Sequence, residues 1–165
     1  MISNYIASPA EAKLCLLMVE PDLASARELT DWLRQHDTAA VHASTAHEAA
    51  LAISDAAFTQ CGFAGLLLDV NLPDTSGYRV MSAFRDEFPG RLVAAMTRDD
   101  DLCLKLWCKA RRIPLYCKPF VVKELHHWLG RVKESMHPLD MQVRLRGKLR
   151  RTPSDAVLRN YALGF

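Results

Sequence analysis

A chain of 165 residues, half of them hydrophobic, can hold one domain with a real core and a short appendage, which excludes a two-domain enzyme. The formal net charge is only +2, no apolar run approaches the roughly 18 residues of a membrane span, and the residues before Leu14 lack the basic start and long apolar core of a signal peptide. A soluble, cytoplasmic protein with no membrane partner is the expectation.

Leu14 to Val19 reads as a first strand. Asp22 is placed to cap a helix running through about His36, with Leu23, Ala26, Leu29 and Leu33 at helical spacing. Thr38 to Ala43 is a short second strand. Thr45-Ala46-His47-Glu48 has the capping-box form, Thr45 bonding the third amide while Glu48 reaches back, and Ala49 to Phe58 continues as a helix of small residues. Leu66 to Leu68 are apolar without alternation, as in a central parallel strand covered on both faces. Asp69 follows at once, and then come the turn residues Asn71, Pro73, Asp74 and Gly77.

Tyr78 to Phe88 reads as a helix stopped by Pro89-Gly90, and Arg91 to Thr97 as a fourth strand. Asp99-Asp100-Asp101 places three acids at the start of the next helix, where free amides and the helix dipole favour them, and that helix runs to about Ala110. A metal-binding triplet is the sharper alternative, disfavoured because consecutive acids on a helix start point in different directions. Ile113 to Cys117 is the fifth strand. Val122 to Glu134 is the last helix, with Val122, Leu125, Trp128, Leu129 and Val132 as its inner stripe. Strand and helix alternate five times, which implies a parallel α/β sheet with helices on both faces, because parallel neighbours need crossover connections.

The five Cys form no CxxC pair and no metal-ligand spacing with His, so buried reduced thiols are expected, with Cys15 and Cys117 inside strands. None of the six His falls in an HExxH pattern, and His126-His127 should straddle the edge of a helix face. Charge is uneven. Residues 136–165 carry six Lys/Arg and two Asp, leaving 15 basic and 17 acidic residues in 1–135, so the basic excess belongs to the tail.

Open α/β sheets place ligands just outside the carboxyl ends of their strands, and four strand ends here carry polar groups: Glu20, Asp69, Thr97 and Lys118. Singly, each has a bland reading as a turn acid, a turn cap, a helix cap and a loop Lys-Pro pair. In that chain order they resemble the receiver domain of two-component response regulators, over about residues 12–135.

The resemblance implies a flavodoxin-like, doubly wound, five-stranded parallel sheet of order 2-1-3-4-5. It implies that Asp69 is the phosphoacceptor of a phosphorelay, taking a phosphoryl group from the His of a sensor histidine kinase. Glu20, Asp69 and the backbone carbonyl of Asn71 would hold a magnesium ion, and Thr97 and Lys118 would read the new phosphate. Pro73 and Gly77 would shape the loop, Gly77 by allowing φ > 0, and a cis Lys118-Pro119 bond would aim the amine inward. Magnesium fits because it prefers oxygen ligands and keeps some waters, while positive charge must span a carboxylate and a phosphoryl group that repel each other. A homodimer through the fourth helix, fifth strand and fifth helix is a further implied partner.

The chain departs from the family pattern in three places. Pro21 stands where a second acid would bind the metal, so magnesium should be held weakly, and Asp22, one residue later, would have to reach back. Leu115 stands at the aromatic switch position, with Tyr116 displaced to the other face of the strand. Arg98 and Arg111 replace small residues. These departures motivate an alternative, a pseudo-receiver that regulates through protein contacts without phosphorylation. A haloacid-dehalogenase-type phosphohydrolase also uses a strand-end Asp, but Asn71 and Pro73 do not match its D-x-D-x-T pattern. The chain therefore reads as a signalling module and not an enzyme.

Residues 1–11 are read as an N-terminal extension, 12–135 as the receiver and 136–165 as a basic linker or the start of an output domain, through which the protein would bind DNA and control transcription. The tail itself could add a weak, salt-sensitive DNA contact.

Overall fold

The computed structural model describes residues 14–59 and 62–136; the extension read at 1–11 and the tail beyond Met136 lie outside the described residues. Five strands and five helices alternate: β1 (Leu14–Val19), α1 (Leu23–Gln35), β2 (Thr38–Ala43), α2 (Ala46–Thr59), β3 (Gly65–Asp69), α3 (Gly77–Glu87), β4 (Leu92–Thr97), α4 (Leu102–Ala110), β5 (Leu115–Cys117) and α5 (His126–Ser135). The sheet is wholly parallel in the order β2-β1-β3-β4-β5. β3 lies at its centre, with Met18 opposite Leu67 on one side and Leu67 opposite Ala94 on the other.

Every residue of β3 is buried, and the side-chain period of two explains why a strand without alternation suits this place. Leu16, Met18, Leu67, Ala94 and Met96 face α1 and α5, packing on Leu29, Leu33, Trp128, Leu129 and Val132. Leu17, Val19, Leu66, Leu68, Val93 and Ala95 face the opposite layer, where Ile53, Met81, Phe84 and Leu104 cover them. Neither face of the central strands meets water. Their polar groups therefore concentrate at the ends.

Several local expectations change. α4 starts at Leu102 with Asp101 as its cap, accepting from the Cys103 amide at 2.7 Å. Asp99 and Asp100 thus lie in the preceding loop. β5 keeps only Leu115–Cys117, since Pro114 has no amide to give a ladder, although its carbonyl still accepts from the Ala95 amide. Being an edge strand, β5 leaves Cys117 exposed; Cys103 is exposed too, and only Cys108 of the three is buried. The last helix divides into a 3₁₀ turn over Val122–Leu125 and α5 proper. Glu48 reaches back one residue further than a capping box requires, accepting from the Ser44 amide and hydroxyl, while Thr45 Oγ1 takes the Glu48 amide at 3.1 Å.

Gly77 is also corrected. Among the described residues the left-handed glycine is Gly90 (φ 82°), in the turn after α3, not Gly77. What Gly77 provides is room, because a Cβ there would stand 2.8 Å from Val70 Cα and 3.1 Å from the Asp69 carbonyl.

Candidate functional site

Parallel strands all point their carboxyl ends at one edge of the sheet, and that edge gathers Glu20, Asp69, Thr97 and Lys118. Glu20 and Thr97 are wholly buried and Asp69 is 1% exposed. Lys118 Nζ lies 2.6 Å from Asp69 Oδ2 and 2.5 Å from Glu20 Oε2, so one ammonium bridges two buried carboxylates. Two negative charges against one positive leave the cluster short of cation, and burial strengthens that imbalance.

The remaining oxygens are also held. Asp69 Oδ1 accepts from the Asn71 amide at 2.8 Å and Glu20 Oε1 from the Asp22 amide at 3.0 Å. The backbone of Glu20 is pinned by its own amide, which donates to the Ala43 carbonyl. Its carbonyl takes His42 Nε2 at 2.8 Å. The Lys118–Pro119 peptide is cis.

Asp22 does not join the pair. It caps α1, its Oδ1 accepting from the Ser25 amide at 2.8 Å, while Oδ2 lies 3.9 Å from Arg98. The Ser25 hydrogen bond, with Arg98 and Lys118 adding attraction, holds the Asp22 carboxyl below the usual range. Its carboxylate is thus engaged by the α1 cap and lies near Arg98. Among the described residues no group of three or more His, Cys, Asp or Glu could hold a metal ion, which also removes the triplet reading of Asp99-Asp100-Asp101. The carboxylates that the fold brings together at this edge are Glu20 and Asp69, and the Asn71 amide joins them through Asp69 Oδ1.

Thr97 turns its hydroxyl to Asn71 and Asp99. Its hydroxyl donates to Asn71 Oδ1 at 3.0 Å and accepts from the Asp99 amide at 3.0 Å. Asn71 Nδ2 donates to Asp99 Oδ2 at 2.6 Å, and the Arg98 amide donates to Asn71 Oδ1 at 3.3 Å. The side chain of Asn71 therefore ties the loop after β3 to the loop after β4, a role its sequence context did not show. Further along, Pro73 is exposed, and Asp74 accepts from the amides of Ala46 and His47, both at 2.9 Å, at the start of α2.

Leu115 packs on the α4 side, whereas Tyr116 lies on the α1 and α5 side with its ring centroid 5.6 Å from Phe120. The one-residue displacement read from the sequence does put the aromatic ring on the face away from α4. An aromatic pair that the sequence reading missed, Tyr78 and Trp107, joins α3 to α4 at 4.7 Å, and Arg111 lies over the Trp107 ring at 4.3 Å. A cleft of about 400 Å³ beside the acids is lined by Ser25, Leu29, Arg98, Lys118 and Phe120, giving Lys118 access from solvent.

An open parallel sheet of order 2-1-3-4-5 with helices on both faces is the fold of response-regulator receiver domains, and solved structures share it. A CheY-like receiver domain protein from Methanospirillum hungatei superposes with a TM-score of 0.64 at 21% identity, over 74% of this chain and 95% of that one. The non-phosphorylated HemR receiver domain of Leptospira biflexa gives 0.63 at 23%, over 76% and 98%. A structure described as an adenylate cyclase from Rhodopirellula baltica gives 0.65 at 17%, over 82% and 98%. No protein-family model matches the chain, and no curated protein matches it in sequence. Among the described residues no helix is long and apolar enough to cross a membrane.

Proposed function

We propose that this chain is a cytoplasmic response-regulator receiver that accepts a phosphoryl group on Asp69 from the phosphohistidine of a sensor kinase. The observation that carries the reading is the buried pair of Glu20 and Asp69 sharing the single ammonium of Lys118. Two buried like charges side by side are costly to keep, and a phosphoryl-transfer site is a reason to keep them.

In the transfer, an Asp69 carboxylate oxygen forms a bond to phosphorus as the phosphorus–nitrogen bond of the donor imidazole breaks. The donor imidazole, already protonated on its other ring nitrogen, leaves as the neutral ring, and Asp69 becomes an acyl phosphate. Magnesium supplies the positive charge spanning carboxylate and phosphoryl group when it is bound, and Glu20, Asp69 and the Asn71 carbonyl would hold it, weakly for want of a third carboxylate. Lys118, already within hydrogen-bond distance of Asp69, moves its charge onto a phosphate oxygen. Thr97 can turn its hydroxyl to the phosphate by giving up Asn71, so the link between the two loops is exchanged for a link to the phosphate. Leu102 and Leu106, exposed on α4, support a homodimer through α4, β5 and α5, and control of transcription would follow through an output domain. The chain acts by switching contacts, not as an enzyme.

A second reading, the pseudo-receiver, draws on Asp22 being committed to a helix cap and on Lys118 already neutralising the acids. Incubation with acetyl phosphate and magnesium, followed by mass spectrometry, separates the two. The receiver should gain one phosphoryl mass that hydroxylamine removes and that Asp69→Asn abolishes. No gain, or equal gain in Asp69→Asn, favours the pseudo-receiver.

A further inference from the structure

The opposite edge of the sheet, roughly 17–20 Å from Asp69 by the length of a six-residue strand, holds a cluster of a different kind. A cavity of about 150 Å³ there is lined by Arg85, Arg91, Arg111, Arg112, Arg131 and Trp128, with no acid in its wall. The arginines come from α3, the entrance to β4, the turn after α4 and α5, so it is the fold that assembles them. Basic residues near a helix C-terminus offset its dipole, which accounts for Arg85 and Arg111 one at a time. It does not account for Arg131, within α5, or for Arg91, just before β4.

Arg85, Arg111, Arg112 and Arg131 pair with no carboxylate among the described residues. A second observation points the same way. Trp128 is 2% exposed, and its indole Nε1–H has no hydrogen-bond partner among the described residues. A buried donor without an acceptor is costly to keep, and this one belongs to a wall of the same cavity.

The cavity's size narrows the ligand. Sites for whole small molecules run to about 300–1,000 Å³, so this one admits a single phosphate and leaves whatever bears it outside. Guanidinium forks match phosphate oxygens in pairs. Arg91 also donates to Sδ of Met136, which holds its guanidinium at this edge.

We propose that this edge binds the phosphodiester backbone of nucleic acid, the arginine cavity taking one phosphate. The site is independent of phosphorylation at Asp69. It gives the domain a nucleic-acid contact of its own, apart from any output domain.

Fluorescence anisotropy of a short labelled DNA duplex, titrated with the whole chain at several salt concentrations, tests this. Wild type and Asp69→Asn should bind alike. The combined variant Arg85→Gln, Arg112→Gly and Arg131→Gln alters exposed positions, and Gly suits the left-handed backbone of Arg112 (φ 55°). It should bind about tenfold more weakly, with the slope of log affinity against log salt reduced by about one for each guanidinium that met a phosphate. The Trp128 indole N–H resonance, assigned with Trp128→Phe, should shift when duplex is added. If the combined variant fails to match wild type by circular dichroism, Arg131→Gln alone should still reduce the slope. Three results overturn the proposal: no duplex binding by wild type, unchanged affinity and slope in the arginine variants while Arg144→Gln, Arg146→Gln and Lys148→Gln abolish binding, or a Trp128 shift with inorganic phosphate but not with duplex.

Discussion

Lys118 is the residue on which the acidic edge depends, because its ammonium is what permits Glu20 and Asp69 to be buried within reach of each other. Removing one partner of a buried ion pair leaves an uncompensated charge, at a cost of about 3–5 kcal/mol. Lys118→Ala should therefore lose about 3 kcal/mol in urea unfolding, and Lys118→Ala with Glu20→Gln should recover part of that loss because one of the two repelling charges is gone. An unchanged unfolding midpoint in Lys118→Ala would show that the acids do not need this lysine. The positions of Glu20, Asp69, Thr97 and Lys118 were legible in the sequence, since each follows an apolar run at a strand end. The pairing among them was not. Asn71 bonds across 26 to 28 residues to Thr97, Arg98 and Asp99, and contacts so distant leave no local signature. Gly77 was legible as a required glycine, but the requirement is backbone proximity and not φ.

Elements were easier to read than their ends. All five helices and five strands stand where apolar periodicity put them, and the misplaced ends trace to residues that act on the backbone, such as Pro114 in β5 and Asp101 before α4. The capping of α2 shows the limit clearly. Thr45 and Glu48 announce its start locally, whereas Asp74 arrives from 28 residues away to take the amides of Ala46 and His47. Burial alone would raise the Asp74 carboxyl, but the amides of Ala46 and His47, with those of Asp74 and Thr75 adding to them, outweigh it and hold the group below its ordinary 3.8. A carboxylate depressed in the folded state adds stability that is complete above the unfolded value and is lost as pH falls through the lower folded one. Asp74→Ala should thus cost up to about 1 kcal/mol near neutral pH, less any screening at this exposed site. The difference from wild type should shrink once pH drops below 3.8. Denaturant unfolding at neutral and acid pH measures both, and a constant difference across that range would place the effect elsewhere. Because Asp74 belongs to the loop after Asp69, this cap also couples the acidic edge to α2.

Across the whole molecule, alternation of strand and helix dictated a parallel sheet with two covered faces, while the strand order came from the resemblance and agrees with the one observed. What alternation could not show is how unequally the helices are held. α3 buries Gly77, Val80, Met81, Ala83 and Phe84, but α4 buries only Leu104 and Cys108 and leaves Leu102 66% and Leu106 57% exposed. Stabilisation follows apolar area removed from water, at about 25 cal/mol per Å², so α4 is tied to the core by much less than α3. Its other anchors are the Tyr78–Trp107 contact and the loop before it, which Asn71 holds through Arg98 and Asp99. Segments with little buried area open locally at lower free energy than the molecule unfolds. Amide hydrogen exchange should therefore be faster through residues 102–110 than through 77–87. Asn71→Ala, a change at an exposed loop position, should accelerate exchange in 98–110 further while leaving 77–87 unaltered, because it releases the loop without touching the α3 core. Equal protection of the two helices would mean that the few contacts of α4 suffice to hold it. A loss of protection in α3 as well would mean that Asn71 supports the fold and not the link between the two loops.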